Sequence, residues 1–170
     1  MWSLRLRTQD PALTKGLEPS TEKGPAKDRL LGEVSPVNND KEKAETPKIE
    51  CVAEGCYLVW HTETGAYGAF LESSHGQILW RKRLDRKGAH PSLAIAPSGS
   101  AELAWYAKGR LMLGSIGRDG VGAPTAIARV NGDPPAPSLS PGGAPGEWYV
   151  AWLESEAGHP EVYAARALCK

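Results

Sequence analysis

The amino-acid sequence reads as an all-β chain: a partial β-propeller of about three four-stranded antiparallel blades, with an N-terminal strand and a disordered polar linker. Three features carry this. Among 170 residues, 19 are Gly and 14 are Pro, too many helix breakers for long helical bundles. From Pro47 onward, short alternating apolar runs are separated by turn residues about every 8–12 positions, as in many short antiparallel strands. The runs also recur. Pro47, Pro91 and Pro137 open three segments spaced by 44 and 46 residues, and Trp60, Trp105 and Trp152 follow them by 13, 14 and 15.

In chain order, residues 1–9 come first. Trp2-Ser3-Leu4-Arg5-Leu6 resembles Trp80-Arg81-Lys82-Arg83-Leu84, so Trp2–Arg7 is expected as a strand that completes the last blade. The start lacks the apolar core of a secretory peptide, which points to a cytosolic chain or to the tail of a longer exported one. Residues 10–46 read as a flexible charged linker or insertion. Between Thr14 and Thr46, 13 of 33 residues are charged, too polar to offset the entropy of ordering. Lys27–Leu31 is the one stretch there suited to a helical turn.

Residues 47–170 divide into blades at 47–90, 91–136 and 137–170. After each opening Pro comes a run ending in Trp: Cys56–Trp60, Ala101–Trp105 and Trp148–Trp152. Gly65, Gly109 and Gly158 then mark turns, and third runs follow at Ala66–Leu71, Arg110–Ser115 and Glu161–Arg166. Gly76 and Gly120, both 29 positions after their Pro, mark the next turn. Fourth runs at Ile78–Leu84 and Thr125–Val130 close the first two repeats, and the third repeat has none. A four-stranded meander cannot bury both faces alone, so such blades stack, with the recurrent Trp as the apolar plug.

The repeat resembles sialidase-type Asp-box propellers. Ser73-Ser74-His75-Gly76-Gln77-Ile78-Leu79-Trp80 keeps the first Ser and the Trp of that family's turn, with His75 where Asp belongs and Gly one place early. Gly76–Trp80 is also similar to the strand-four turn of quinoprotein-type propellers. The resemblance implies a propeller over residues 47–170. A sialidase arginine triad, Tyr–Glu nucleophile pair and acid Asp find no matching motif: Arg81, Arg83 and Arg86 crowd one strand, whereas a triad draws on several blades.

The expected ligand face is where inter-blade loops and strand two–three loops meet. His61, Glu63, Asp85, His90, Glu154 and His159 fall there. No His pair has metal-ligand spacing, and no Gly-rich phosphate cradle is present, so neither metal nor cofactor is expected. Cys51 and Cys56 face each other across a tight turn, where Cβ atoms approach disulfide range. A bridge implies an oxidising, extracytoplasmic compartment, and reduced thiols imply the cytosol. Cys169 is left as a free thiol.

Formal net charge is zero, with 20 basic and 20 acidic residues, which argues against nucleic acid as partner. No apolar run is long enough to span a membrane. Repeats without a catalytic set point to a non-catalytic binding module for a protein or carbohydrate ligand rather than an enzyme. The alternatives are a sialidase-like glycosidase or its remnant, and a fragment of a longer propeller. Three blades do not close a ring, so self-association or blades from a longer chain are expected.

Overall fold

The computed structural model describes residues 37–38, 42–73, 77–132, 135–156 and 159–169. All belong to one compact unit, Ser35–Lys170. The expected strand at residues 1–9, most of the 10–46 linker and the Ser74–Gly76 turn lie outside the described residues.

The fold is all-β, and three antiparallel sheets follow one another along the chain as three blades of a partial propeller. The first holds β1 (Glu45–Val52), β2 (Gly55–Thr62), β3 (Gly65–Glu72) and β4 (Ile78–Asp85), hydrogen-bonded in sequence order. The second holds β5 (Gly88–Ile95), β6 (Ala101–Ala107), β7 (Arg110–Gly117), β8 (Gly120–Val121) and β9 (Thr125–Arg129). The third holds β10 (Ser138–Pro141), β11 (Glu147–Glu156) and β12 (His159–Leu168). Among the described residues, β12 pairs only with β11. First strands adjoin, with β5 against β1 on one side and β10 on the other.

Tight turns explain the short period. Lys108 and Gly109 both take positive φ, 53° and 69°, which is the two-residue hairpin geometry whose twist suits flanking strands. Gly65 has φ 132°, and a side chain there would run into the Asp85 carbonyl. The fourth run of the second blade, expected at Thr125–Val130, is β9, paired to β7; a two-residue strand, β8, also pairs with β7 at the preceding turn, and Gly122-Ala123-Pro124 separates the two, Pro having no amide hydrogen for the ladder.

The core lies between blades. Tyr57, Val59, Phe70 and Trp80 of the first blade pack with Leu93, Leu103, Trp105 and Ile116 of the second. Trp80 Nε1 donates to the Arg118 carbonyl at 2.7 Å, and Arg118 pairs with Glu72 at 3.2 Å across the same seam. The second seam joins Ala104, Tyr106, Leu111 and Leu113 to Val150 and Trp152. Trp105 is 1% exposed and Trp152 8%, and each faces the preceding blade. Trp60 keeps the same orientation and so lies on the first blade's outer face, with Tyr67, Ala69 and Val37. Burying such a side chain contributes roughly 2–3 kcal/mol each, which is why the Trp recurs.

Candidate functional site at the blade rim

Strand ends at one edge of the first two blades build the site. Thr46 and His90 each stand immediately before the opening Pro of their repeat. Both take left-handed backbone, φ 48° and 50°, and in both strands the pairing register shifts there. Pro cannot donate to the ladder, and a β-bulge at this point re-aims the preceding side chain. The bulge turns His90 onto His61, with ring centroids 4.6 Å apart.

His61 lies at the end of β2 opposite Glu45 of β1. Its Nδ1 is 2.9 Å from Thr46 Oγ1, and its Nε2 is 3.7 Å from the Glu45 carboxylate. The Lys43 ammonium, 3.0 Å from Glu45, holds that carboxyl below its ordinary value, with smaller help from His61 and His90. Tyr106 of β6 lies next, its ring 6.5 Å from His90. Its hydroxyl is buried without a hydrogen-bond partner among the described residues. Burial, and then the Glu154 charge, pushes the phenol up to about 12. Glu154 accepts a hydrogen bond from Trp152 Nε1 at 2.8 Å. Rings, a neutral hydroxyl and two carboxylates therefore meet along one rim.

Of the six residues singled out in the sequence, His61, His90 and Glu154 gather around Tyr106. Glu63 stands exposed in the β2–β3 turn, within the electrostatic reach of Lys43. Asp85 is engaged in its own turn, accepting from the Lys87 amide at 2.8 Å. His159 is exposed at the start of β12. Five of the six sit on strands instead of in loops: His61 on β2, Asp85 on β4, His90 on β5, Glu154 on β11 and His159 on β12. The hairpins are so tight that strands run nearly to the tip.

Glu45, Thr46 and Tyr106 complete the rim and were missed in the sequence. The Pro following both Thr46 and His90 was the available signal. Trp60 is closed to stacking partners, since the Arg81 guanidinium lies 5.6 Å from its ring and 5.5 Å from Tyr67. Arg81 is itself held by Glu42 at 2.6 Å. Cys51 and Cys56 form a disulfide at facing positions of β1 and β2, and Cys169 is free. Among the described residues no group of three or more His, Cys, Asp or Glu is arranged to hold a metal ion. No described helix is long and apolar enough to cross a membrane.

No protein-family model matches the chain, and no curated protein matches it. Solved structures do. A bifunctional GH43-CE protein of Bacteroides eggerthii aligns with TM-score 0.51 and 15% identity, over 74% of this chain and 18% of that one. The xylan β-1,4-xylosidase from Bacillus halodurans C-125 aligns with TM-score 0.50 and 16% identity, over 74% of this chain and 28% of that one. The chain thus spans well under a third of either. At such identity the likeness shows the fold alone, a β-propeller, and does not extend to the Asp-box type in particular.

Proposed function

We propose that the chain is a ligand-binding segment of a β-propeller whose rim of His61, His90, Tyr106 and Glu154 takes a glycan without cleaving it. The observation that carries this is the pair of matched bulges that turns the His90 ring across the blade seam onto His61. Flat rings beside fixed hydrogen-bonding groups suit the apolar faces and hydroxyls of a sugar. The named activity of one structural neighbour, a xylosidase, suggests xylo-oligosaccharides as the first ligands to try. The test is calorimetric titration with those and a wider glycan panel. Binding that weakens at least fivefold in His90→Ala supports the rim, and an unchanged affinity refutes it.

A glycosidase, sialidase-like or otherwise, is the alternative, favoured by the same two neighbours. Turnover of a chromogenic glycoside that is lost in Glu154→Gln would establish it in place of simple binding. The partner we propose is further propeller blades, from a second copy or a longer chain. Tyr149, Leu153, Val162 and Leu168, up to 76% exposed, form an apolar face on the third blade of the kind that blades bury against each other. Light scattering showing a monodisperse monomer would end the second-copy form of this proposal.

A further inference from the structure

The two blade seams differ at one set of equivalent positions. Trp60 pairs with Tyr67 in the first blade, and Trp105 pairs with Met112 in the second. Keeping that register, Tyr57 corresponds to Glu102, and Phe70, its cross-strand partner, corresponds to Ser115. In the first seam Tyr57 and Phe70 are 4.9 Å apart and Trp80 pairs beside Phe70, so three aromatics fill the gap. In the second seam the set is Glu102 and Ser115, with the Gly122 amide donating to the Ser115 carbonyl at 2.9 Å. Where the first seam holds three rings, the second holds a cleft of about 510 Å³ between β6, β7 and β9 on one side and β12 on the other.

Glu102 is 5% exposed and lines that cleft. Its Oε2 is buried with no hydrogen-bond partner among the described residues. A buried acceptor without a donor costs about 1–3 kcal/mol, more when charged, and such groups point to an unfilled role. The Cys169 thiol hydrogen-bonds to the carboxyl, and Arg166 is the other titratable lining residue. Arg166 is already bound to Glu147, whose carboxylate also accepts from Tyr149 and the Ala144 amide. It is therefore spent. Ionised Glu102 leaves the cleft one negative charge in excess. Ser115 and Thr125 add hydroxyls, and Leu113 and Ile127 add apolar wall. Among the described residues no aromatic side chain lines it, so a stacked sugar is a poor fit.

We propose that this inter-blade cleft is a binding site for a small organic primary ammonium ion, its nitrogen paired with the Glu102 carboxylate and its alkyl part against Leu113 and Ile127. The site is separate from the rim and stands whether or not the rim binds glycan. Burial pushes the Glu102 carboxyl up to about 7, so binding of the cation displaces the proton at mildly acid pH.

The test is an NMR titration of the full chain with n-butylammonium, and with n-butanol as neutral isostere, at pH 6 and pH 8. Expected are amide shifts confined to the neighbourhood of Ser115, Thr125 and Ala167. The ammonium should bind about tenfold tighter at pH 8, as ionisation of a group near 7 dictates, and the alcohol should show no pH dependence. Glu102→Gln should lose that pH dependence and bind the ammonium at least about tenfold more weakly, the worth of a charged hydrogen bond. Ser115→Phe, which restores the ring of the first seam, should exclude both probes. Equal affinity for the two probes, unchanged pH dependence in Glu102→Gln, or binding undiminished by Ser115→Phe would overturn the proposal.

Discussion

Replacing Glu102 by Gln should make the protein more stable, and only above mildly acid pH. Desolvation raises the folded carboxyl from 4.5 to about 7, with the Cys169 hydrogen bond pulling weakly the other way. Below about pH 4.5 the group is protonated in both folded and unfolded chains and contributes no penalty. Between about 4.5 and 7 the unfolded chain ionises while the folded protein keeps its proton, so stability falls as pH rises. Above about 7 the penalty levels off. At about 1.4 kcal/mol per pH unit, the whole window amounts to about 3 kcal/mol. Glu102→Gln removes the ionisation, and any constant cost of the amide cancels between two pH values. The assay is urea denaturation of both proteins at pH 5 and pH 8, a span that stays below the Cys169 thiol, itself raised by burial from 9. The variant should gain about 2–3 kcal/mol on the wild type between the two pH values. An identical pH dependence in the two proteins would refute the burial of this carboxyl.

Three further outcomes follow from the packing. Trp105→Ala opens a cavity in the first seam, where the ring is 1% exposed, and should cost about 3–5 kcal/mol by denaturation; a loss under about 1 kcal/mol would mean the blades do not stack there. Removing the Cys51–Cys56 bridge, whose cysteines are 5 residues apart, should cost only about 2 kcal/mol because so short a loop frees little unfolded-state entropy. A loss of cooperative folding in the double Ser variant would contradict this. Tyr106, pushed up to about 12, should be absent from an ultraviolet titration carried to pH 11; stability should fall as pH climbs from about 10 to 12, and Tyr106→Phe should remove that loss.

The architecture was legible because it rests on repetition. Pro47, Pro91 and Pro137 set the period, and Trp60, Trp105 and Trp152 mark the same strand position in each blade. Alternation of apolar residues was enough to assign the third and fourth runs. Cys51 and Cys56 could be seen as a pair because a tight turn leaves only one way to face them. The bulges were not legible, because Thr46 and His90 are unremarkable residues until their left-handed backbone is known. Tyr106 looked like a neighbour of the core Trp, and only its burial beside Glu154 distinguishes it. Glu102 was hidden for another reason. In an alternating strand a lone acid reads as the solvent face, yet here that face is a blade seam in which the aromatic plug has been replaced. Spacing counted from Pro also misleads, since the connection from first to second strand is longer in the second blade, between Ile95 and Ala101, than in the first, between Val52 and Gly55, and only the Trp positions keep equivalent faces aligned.

The rim is tested most directly by following the histidine ring resonances by NMR during titration with xylo-oligosaccharides. His61 and His90, whose rings touch across the seam, should shift together and saturably with one affinity, while His159, exposed at the start of β12, should stay still. Saturable binding in which His61 and His90 do not move would contradict a glycan site at this rim.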